Sequence, residues 1–269
     1  MELELQGRTA AVIGASSGIG KAIAAGLADE GVNLALMART AENLDQAAKQ
    51  IGNQAAVEIL THPADTTDAE SVNAAASAVA ERFGTINILV YSAGHRMRRL
   101  DRQILWEDED WIDDVDIKTF GMLRTVRAFL PHLATDGTGR IINVGGLAGT
   151  IVWHGAMTHG LNNAAVEHVG RYLARDLADE GADITVNTLV PGLVGVEWRQ
   201  GWAQTMAEKS SKSMEEFLTD YSKSLGILAG RWAEPEEVAN VAVFLASDRA
   251  RYVNGASLVI AGGQSVNPR

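Results

Sequence analysis

"GASSGIG", residues 14–20, joins an apolar run, "TAAVIG" (9–14), to a stretch with helical spacing at 18–30. Gly14, Gly18 and Gly20 fall in a GxxxGxG pattern. Glycine supplies a tight turn and lets backbone amides approach a bound group. The helix opening there adds unpaired N–H groups and the positive end of its dipole, which together favour phosphate. A glycine pattern alone is weak evidence. Set between a first strand and a first helix, it reads as a dinucleotide loop, with Gly14, Ser16, Ser17, Gly18, Ile19 and Gly20 around the pyrophosphate.

The same alternation continues along the chain. "VNLALM" (32–37), "INILVY" (86–91), "RIINVG" (140–145), "ITVNTLV" (184–190) and "ASLVIAG" (256–262) read as buried strands, with "AVEIL" (56–60) a weaker candidate. Between them, 41–51, 67–82, 108–134, 160–181 and 235–246 carry apolar residues at helical spacing. Continuous apolar strands alternating with helices imply a parallel sheet covered on both faces. The expected fold is α/β: a single Rossmann-type doubly wound domain over 1–269, with a mostly parallel seven-stranded sheet and helices on both faces. The least regular part, 192–230, follows a late strand and carries Trp198, Trp202 and Met206. Ligands of open parallel sheets sit beyond the carboxyl ends of the strands, so this segment is a candidate substrate lid. The alternative is a surface helical hairpin packed on its own aromatics.

Composition narrows the partners. The formal charge of −11, from 34 acidic and 23 basic residues, repels phosphate backbones and argues against nucleic acid. No apolar run approaches the ~20 residues that span a bilayer. The acidic start, "MELELQ", is unlike a secretory signal, and the absence of cysteine removes disulfides and thiolate metal sites. A cytoplasmic location fits both. No spacing supports a metal site.

At the end of the second strand, "LMART" places Ala38 and Arg39 where a carboxylate would bind the ribose hydroxyls of NAD. An arginine there suits a 2′-phosphate, so NADP(H) is the expected cofactor, unless Arg39 pairs with Glu42 or Asp45. Asp65, in "PADTTD", is placed either to reach an adenine amino group or to cap the helix beginning near Asp68.

Together these segments resemble the short-chain dehydrogenase/reductase family, over nearly the whole chain. "GASSGIG" is similar to its TGxxxGIG loop, with Ile13 in place of the threonine; "LVYSAG" (89–94) resembles LVNNAG, with Tyr91 and Ser92 replacing asparagines. "VNTLVPG" (186–192) and "RWAEPEEVANVAVFLASDRARYVNGASLVIAGG" (231–263) match later family segments, except that Ala261 stands where aspartate is usual. The resemblance implies cofactor contacts from Thr66, Ser92, Ala93, Gly94, Pro191 and Gly192. It also implies reversible hydride transfer between a nicotinamide and a carbonyl or alcohol.

That chemistry uses a tyrosine as acid or base, a lysine four residues later, a serine thirteen residues earlier and an asparagine on the preceding long helix. The aligned positions here hold His159, Asn163, Gly146 and Lys118. The register is sound, because residues four beyond the tyrosines at 91, 172, 221 and 252 are His95, Asp176, Leu225 and Ala256. There is no YxxxK. A histidine, near 6.5 unperturbed, is in range as a general acid or base without a lysine's help. Lys118 is expected to return a cation to the same cavity. Two like charges ~6 Å apart at an effective dielectric of ~20 repel by about 3 kcal/mol, roughly 2 pKa units, which would keep His159 neutral at pH 7. His159, Lys118 and Asn163 are therefore the candidate catalytic set.

The run "GHRMRRLDR" (94–102), with His95, Arg96, Arg98, Arg99 and Arg102, begins at the mouth the resemblance assigns to the active site. It would receive an anion or else pair with "EDED" (107–110). His95, Arg96, Gly146, Trp153, His154 and Trp198 are candidate substrate-pocket residues around a small-molecule substrate. The helices at 108–134 and 160–181 resemble those with which the family builds a homodimer or homotetramer. Three functions remain open: an oxidoreductase with a rebuilt acid/base group, a lyase, isomerase or cyclase retaining the dinucleotide, and a cofactor-binding pseudoenzyme or scaffold.

Overall fold

The computed structural model describes residues 2–94 and 103–266. Arg96, Arg98, Arg99, Arg102 and His95 lie outside the described residues, so the anion-receiving loop assigned to them has no structural description.

Seven strands form one sheet: β1 (Thr9–Ile13), β2 (Asn33–Ala38), β3 (Ile59–Pro63), β4 (Ile88–Tyr91), β5 (Asp136–Val144), β6 (Asp183–Pro191) and β7 (Ser257–Ile260). Their order is β3-β2-β1-β4-β5-β6-β7, and every pairing is parallel. Residues alternate between the two faces, as the period of a strand requires. On one side Ala10 and Val12 share a core with α1 (Gly18–Asp29), α2 (Ala41–Gly52) and α9 (Pro235–Ala246). On the other, Ala11 and Ile13 meet α3 (Ala69–Phe83), α5 (Gly121–Phe129) and α6 (Met157–Asp179). The order reverses between β1 and β4, and the carboxyl ends of these two strands open the cleft described below.

Three departures from the sequence reading have physical causes. β3 lies at Ile59–Pro63, past the apolar run at 56–60, because it is an edge strand bonded only to β2 and half-exposed along most of its length. The long helix expected over 108–134 is α4 (Asp108–Val115), a π-helical segment (Asp116–Phe120) and α5. The irregular 192–230 region contains α7 (Glu197–Lys209) and α8 (Met214–Ser224). These two helices share a small core with Trp202 at its centre, 5.4 Å from Tyr221, 5.9 Å from Phe217 and 6.4 Å from Trp232 between ring centroids. Among the described residues no helix is long and apolar enough to cross a membrane.

Candidate active site

The cleft at the carboxyl ends of β1, β4, β5 and β6 has a volume of about 550 Å³. Its floor at one end is the glycine loop. Gly14 has φ +84°, and a Cβ there would lie 2.8 Å from Ala93 N, so the loop and the start of the 92–94 turn touch backbone to backbone. Only glycine fits both the angle and the approach. Ser16, Ser17 and Ile19 face the cleft, while Gly18 and Gly20 lie behind it, against Val196 and the Gly14 carbonyl. Ser17 precedes α1 in extended conformation but forms no side-chain cap. The first-turn N–H groups thus lack the usual protein acceptor, as a phosphate-receiving helix start requires.

Arg39 enters the cleft beside Thr40 and Asn43. Among the described residues it forms no ion pair with Glu42 or Asp45; Asp45 instead accepts from Thr61 Oγ1 at 3.1 Å. Asp65 and Thr66 line the neighbouring wall. Asp65 does not cap α3, a role taken by Asp68, which accepts from Glu70 N at 2.9 Å. Burial would raise the Asp65 carboxyl, but hydrogen bonds from Thr67 and the charges of Arg39 and Arg124 outweigh it and hold it below the usual carboxylate value. Ser92, Ala93, Gly94, Pro191 and Gly192 complete this part of the wall. The donors present fit a dinucleotide with a 2′-phosphate.

The other end holds Lys118 and His159. Lys118 is centred in the π-helical segment, and its neighbours are pinned on both sides. Tyr91 Oη donates to Ile117 O at 2.5 Å, and Thr119 Oγ1 donates to Asn162 Oδ1 of α6 at 2.7 Å. Such wide turns recur at functional sites because they re-aim one side chain within an otherwise regular helix. Here the Lys118 stem crosses Gly94, and Nζ donates to Val144 O at the end of β5, 2.7 Å away. Burial lowers the ammonium to about 8. Tyr91 is fully buried, and burial raises its phenol above the ordinary value, so its hydroxyl is a fixed donor to the helix backbone.

His159 stands in the first turn of α6, which Gln103 fixes: its Oε1 accepts from Thr158 N at 3.1 Å. The imidazole is lowered to about 4, first by burial, then by the charges of Lys118 and Arg199. Arg199, in the first turn of α7, lines the same end of the cleft and escaped the sequence reading.

Asn163 does not join them in the cleft. It is fully buried one turn below His159, and neither side-chain amide atom has a hydrogen-bond partner among the described residues. Its Nδ2 would lie 2.9 Å from a Cβ at Gly146, which itself faces the cleft. Gly146 and Asn163 are therefore a packed pair: the amide occupies space that any side chain at 146 would need. Gly146→Ser is expected to cost ~1–3 kcal/mol through overpacking. Thermal denaturation checks this, and Asn163→Ala in the same chain should recover most of the loss; an unchanged Tm for the single variant refutes the pairing.

The remaining pocket candidates lie elsewhere. Trp153 and His154 border a separate groove of about 600 Å³, lined by Ile104, Val152, Met157 and Leu161. Trp198 packs against the α1-side core and carries the Arg199 guanidinium 4.8 Å above its ring. The two tryptophans read as cleft residues thus serve other surfaces, because the turn of α7 that carries Trp198 inward presents Arg199, one residue later, to the cleft.

Residues 14–265 match the family described as Enoyl-(Acyl carrier protein) reductase. The chain is 38% identical over 264 residues to galactitol 2-dehydrogenase (L-tagatose-forming) of Cereibacter sphaeroides, covering 97% of this chain and 96% of that one. Its fold is similar to L-sorbose reductase from Gluconobacter frateurii complexed with NADPH and L-sorbose (TM-score 0.90, 28% identity, 98% of this chain and 99% of that one). It is also similar to an NADPH-bound short chain oxidoreductase from Pseudomonas aeruginosa PAO1 containing an atypical catalytic center (TM-score 0.85, 29% identity, 95% and 96% covered). With the loop, the all-parallel sheet and these matches spanning almost its full length, the chain belongs to the short-chain dehydrogenase/reductase family.

Proposed function

We propose that this chain is an NADP(H)-dependent oxidoreductase acting on an alcohol or ketone, with His159 and Lys118 in place of the family's tyrosine and lysine. One observation carries the reading: a single cleft holds an uncapped helix start and an arginine with no ion pair among the described residues at one end, and a neutral imidazole and an ammonium at the other. The family supplies the reaction class, and the two relatives named for their substrates act on polyhydroxylated compounds, galactitol and L-sorbose.

A bound NADPH would supply the hydride for reduction. The protein must then place the substrate oxygen and exchange its proton. The neutral His159 imidazole offers an N–H to that oxygen. Lys118 Nζ, at about 8, is the group that can release a proton near neutrality, becoming an amine as the oxygen becomes a hydroxyl. In oxidation the proton returns by the same groups. Asn163 supports this end by packing beneath Gly146, without touching the reacting atoms. The α7–α8 hairpin acts as the substrate lid through the one face that carries Arg199. Exposed apolar residues on α4 and α6, Ile112 and Leu161 among them, support assembly into a homodimer or homotetramer.

Calorimetric titration with NADPH, NADP, NADH and NAD tests the reading directly. NADPH is expected to bind far more tightly than NADH. Arg39→Ala should weaken NADPH by about 10–100-fold, the ~1.5–3 kcal/mol of a charged hydrogen bond, and alter NADH less than threefold. Failure of the wild-type protein to bind any dinucleotide refutes the proposal.

A further inference from the structure

Arg199 is in an unusual position for an arginine of this acidic chain. The other arginines with little exposure have carboxylate partners: Arg140 and Arg8 share Asp248, at 3.0 and 2.6 Å, and Arg124 holds Asp116 at 2.6 Å. Arg199 has no carboxylate within ion-pair distance among the described residues. Its Nη1 donates to Val194 O at 2.8 Å, and its carbon lies 4.8 Å from the Trp198 ring centroid. These two contacts fix the plane of the guanidinium and use one of its five donors. The others are not sealed in protein, since none of its nitrogens is a buried, unpartnered atom. A half-buried cation held rigidly by a backbone carbonyl and an indole, with its fork open to a cleft, is arranged to meet an anion there.

The position along the cleft distinguishes which anion. The donors that suit dinucleotide phosphates, the α1 start and Arg39, lie at the end where Arg39 acts on Asp65. The charge of Arg199 acts on His159, at the end where the substrate oxygen must sit. It is held against Val194 and Trp198, and it is the one residue of α7 that lines the cleft.

We propose that Arg199 is the substrate-recognition residue for a carboxylate, so that the chain takes a hydroxy acid or oxo acid, with its carboxylate on the Arg199 fork and its reacting oxygen at His159. This rests on the oxidoreductase reading for the identity of the reacting oxygen, though the anion preference itself does not. The acid would bring a negative charge to the region where the charges of Lys118 and Arg199 both act on His159. A neutral polyol would leave both cations without a counter-charge.

Matched pairs of probes test this by calorimetry: D-galactonate with galactitol, D-gluconate with sorbitol, and acetoacetate with methyl acetoacetate. Each is titrated into the free protein and into protein holding the dinucleotide form with which the probe cannot react. At least one acid should bind 30-fold or more tightly than its neutral counterpart. In Arg199→Gln that preference should fall to threefold or less, with the neutral probe unchanged and the NADPH Kd within threefold. Arg199→Lys, which keeps the charge without the fork, should retain part of it. Circular dichroism of both variants confirms that the fold is kept. No acid exceeding its neutral partner overturns the inference, and so does a loss of NADPH affinity in Arg199→Gln, which would assign the guanidinium to the cofactor. Should the wild type bind no dinucleotide, the reaction reading fails, while the acid preference of the free protein still decides the role of Arg199.

Discussion

His159→Ala will lower kcat for carbonyl reduction by roughly 10²–10³-fold, the range of a lost hydrogen-bond donor to the reacting oxygen, while the NADPH Kd stays within threefold. The pH profile separates this from a general loss of structure. The imidazole is held near 4 and the Lys118 ammonium near 8, so between these values a neutral ring faces a charged lysine. Rates of reduction should be flat from pH 5 to 7, with no step near the ~6.5 of an ordinary histidine, and should fall as pH rises through about 8. Lys118→Met should remove that upper limb along with most of the rate. A step near 6.5, or a His159→Ala variant with wild-type kcat, would show that the imidazole does not serve the reaction.

The sequence anticipated a neutral His159 for a reason that proves secondary. Repulsion from Lys118 was sufficient on paper, but burial is the larger cause, and Arg199 contributes as well. Neither is visible in one dimension. Burial depends on α7 folding back over the cleft, and an arginine three residues into a helix reads in sequence as a solvated face. Asn163 shows the opposite limit. Its i,i+4 relation to His159 does place both on one side of α6, as helical spacing requires. One turn further along, that side has passed beneath the turn that follows β5, so the amide meets Gly146 and not the cleft.

The architecture was far more legible, since apolar runs and helical spacing report burial directly. β1, β2, β4, β6 and β7 fall within two residues of their apolar runs; β5 begins four residues before its run, at Asp136, and the polar edge strand β3 was displaced. One signal was present and unused. Ser213 and Glu216 form a reciprocal capping box at the start of α8, in which Glu216 N donates to Ser213 Oγ at 3.2 Å and Ser213 N to Glu216 Oε2 at 2.9 Å. That S-x-x-E pattern inside "SSKSMEEF" marks a helix in the region left irregular. By contrast, the π-helical turn at Asp116–Phe120 has no local signature, because it depends on Tyr91 Oη holding a carbonyl from a distant strand.

Asp248→Ala will destabilise the protein by about 3 kcal/mol, the low end of the cost of stranding a buried charge, since Asp248 itself is part-exposed. Asp248 stands in the C-terminal segment that resembles the family, yet it lies outside the cleft and its work is structural. Its carboxylate takes Arg140 of β5 at 3.0 Å and Arg8, from the chain before β1, at 2.6 Å. Arg140 is 1% exposed; Gly137 O and Gly139 O each accept from it at 2.8 Å, but they carry no charge to offset it. Arg140→Met removes the buried charge with its partner, so the double variant should lose less than the sum of the singles. Acid should expose the same dependence. The Arg8 hydrogen bond, then the charges around it, hold the Asp248 carboxyl below its unfolded value of ~3.9. Its stabilisation is therefore complete above that value and is lost as pH falls through the lower, folded one. His159 acts in the same direction over a higher window, because the unfolded imidazole takes up a proton near ~6.5 that the folded ring refuses until about 4. Urea denaturation of wild type and Asp248→Ala at pH 7 and pH 3 measures the Asp248 part, since His159 is common to both proteins. The gap between them should narrow at the lower pH, and a gap under ~1 kcal/mol at pH 7 would mean that water replaces the carboxylate at Arg140.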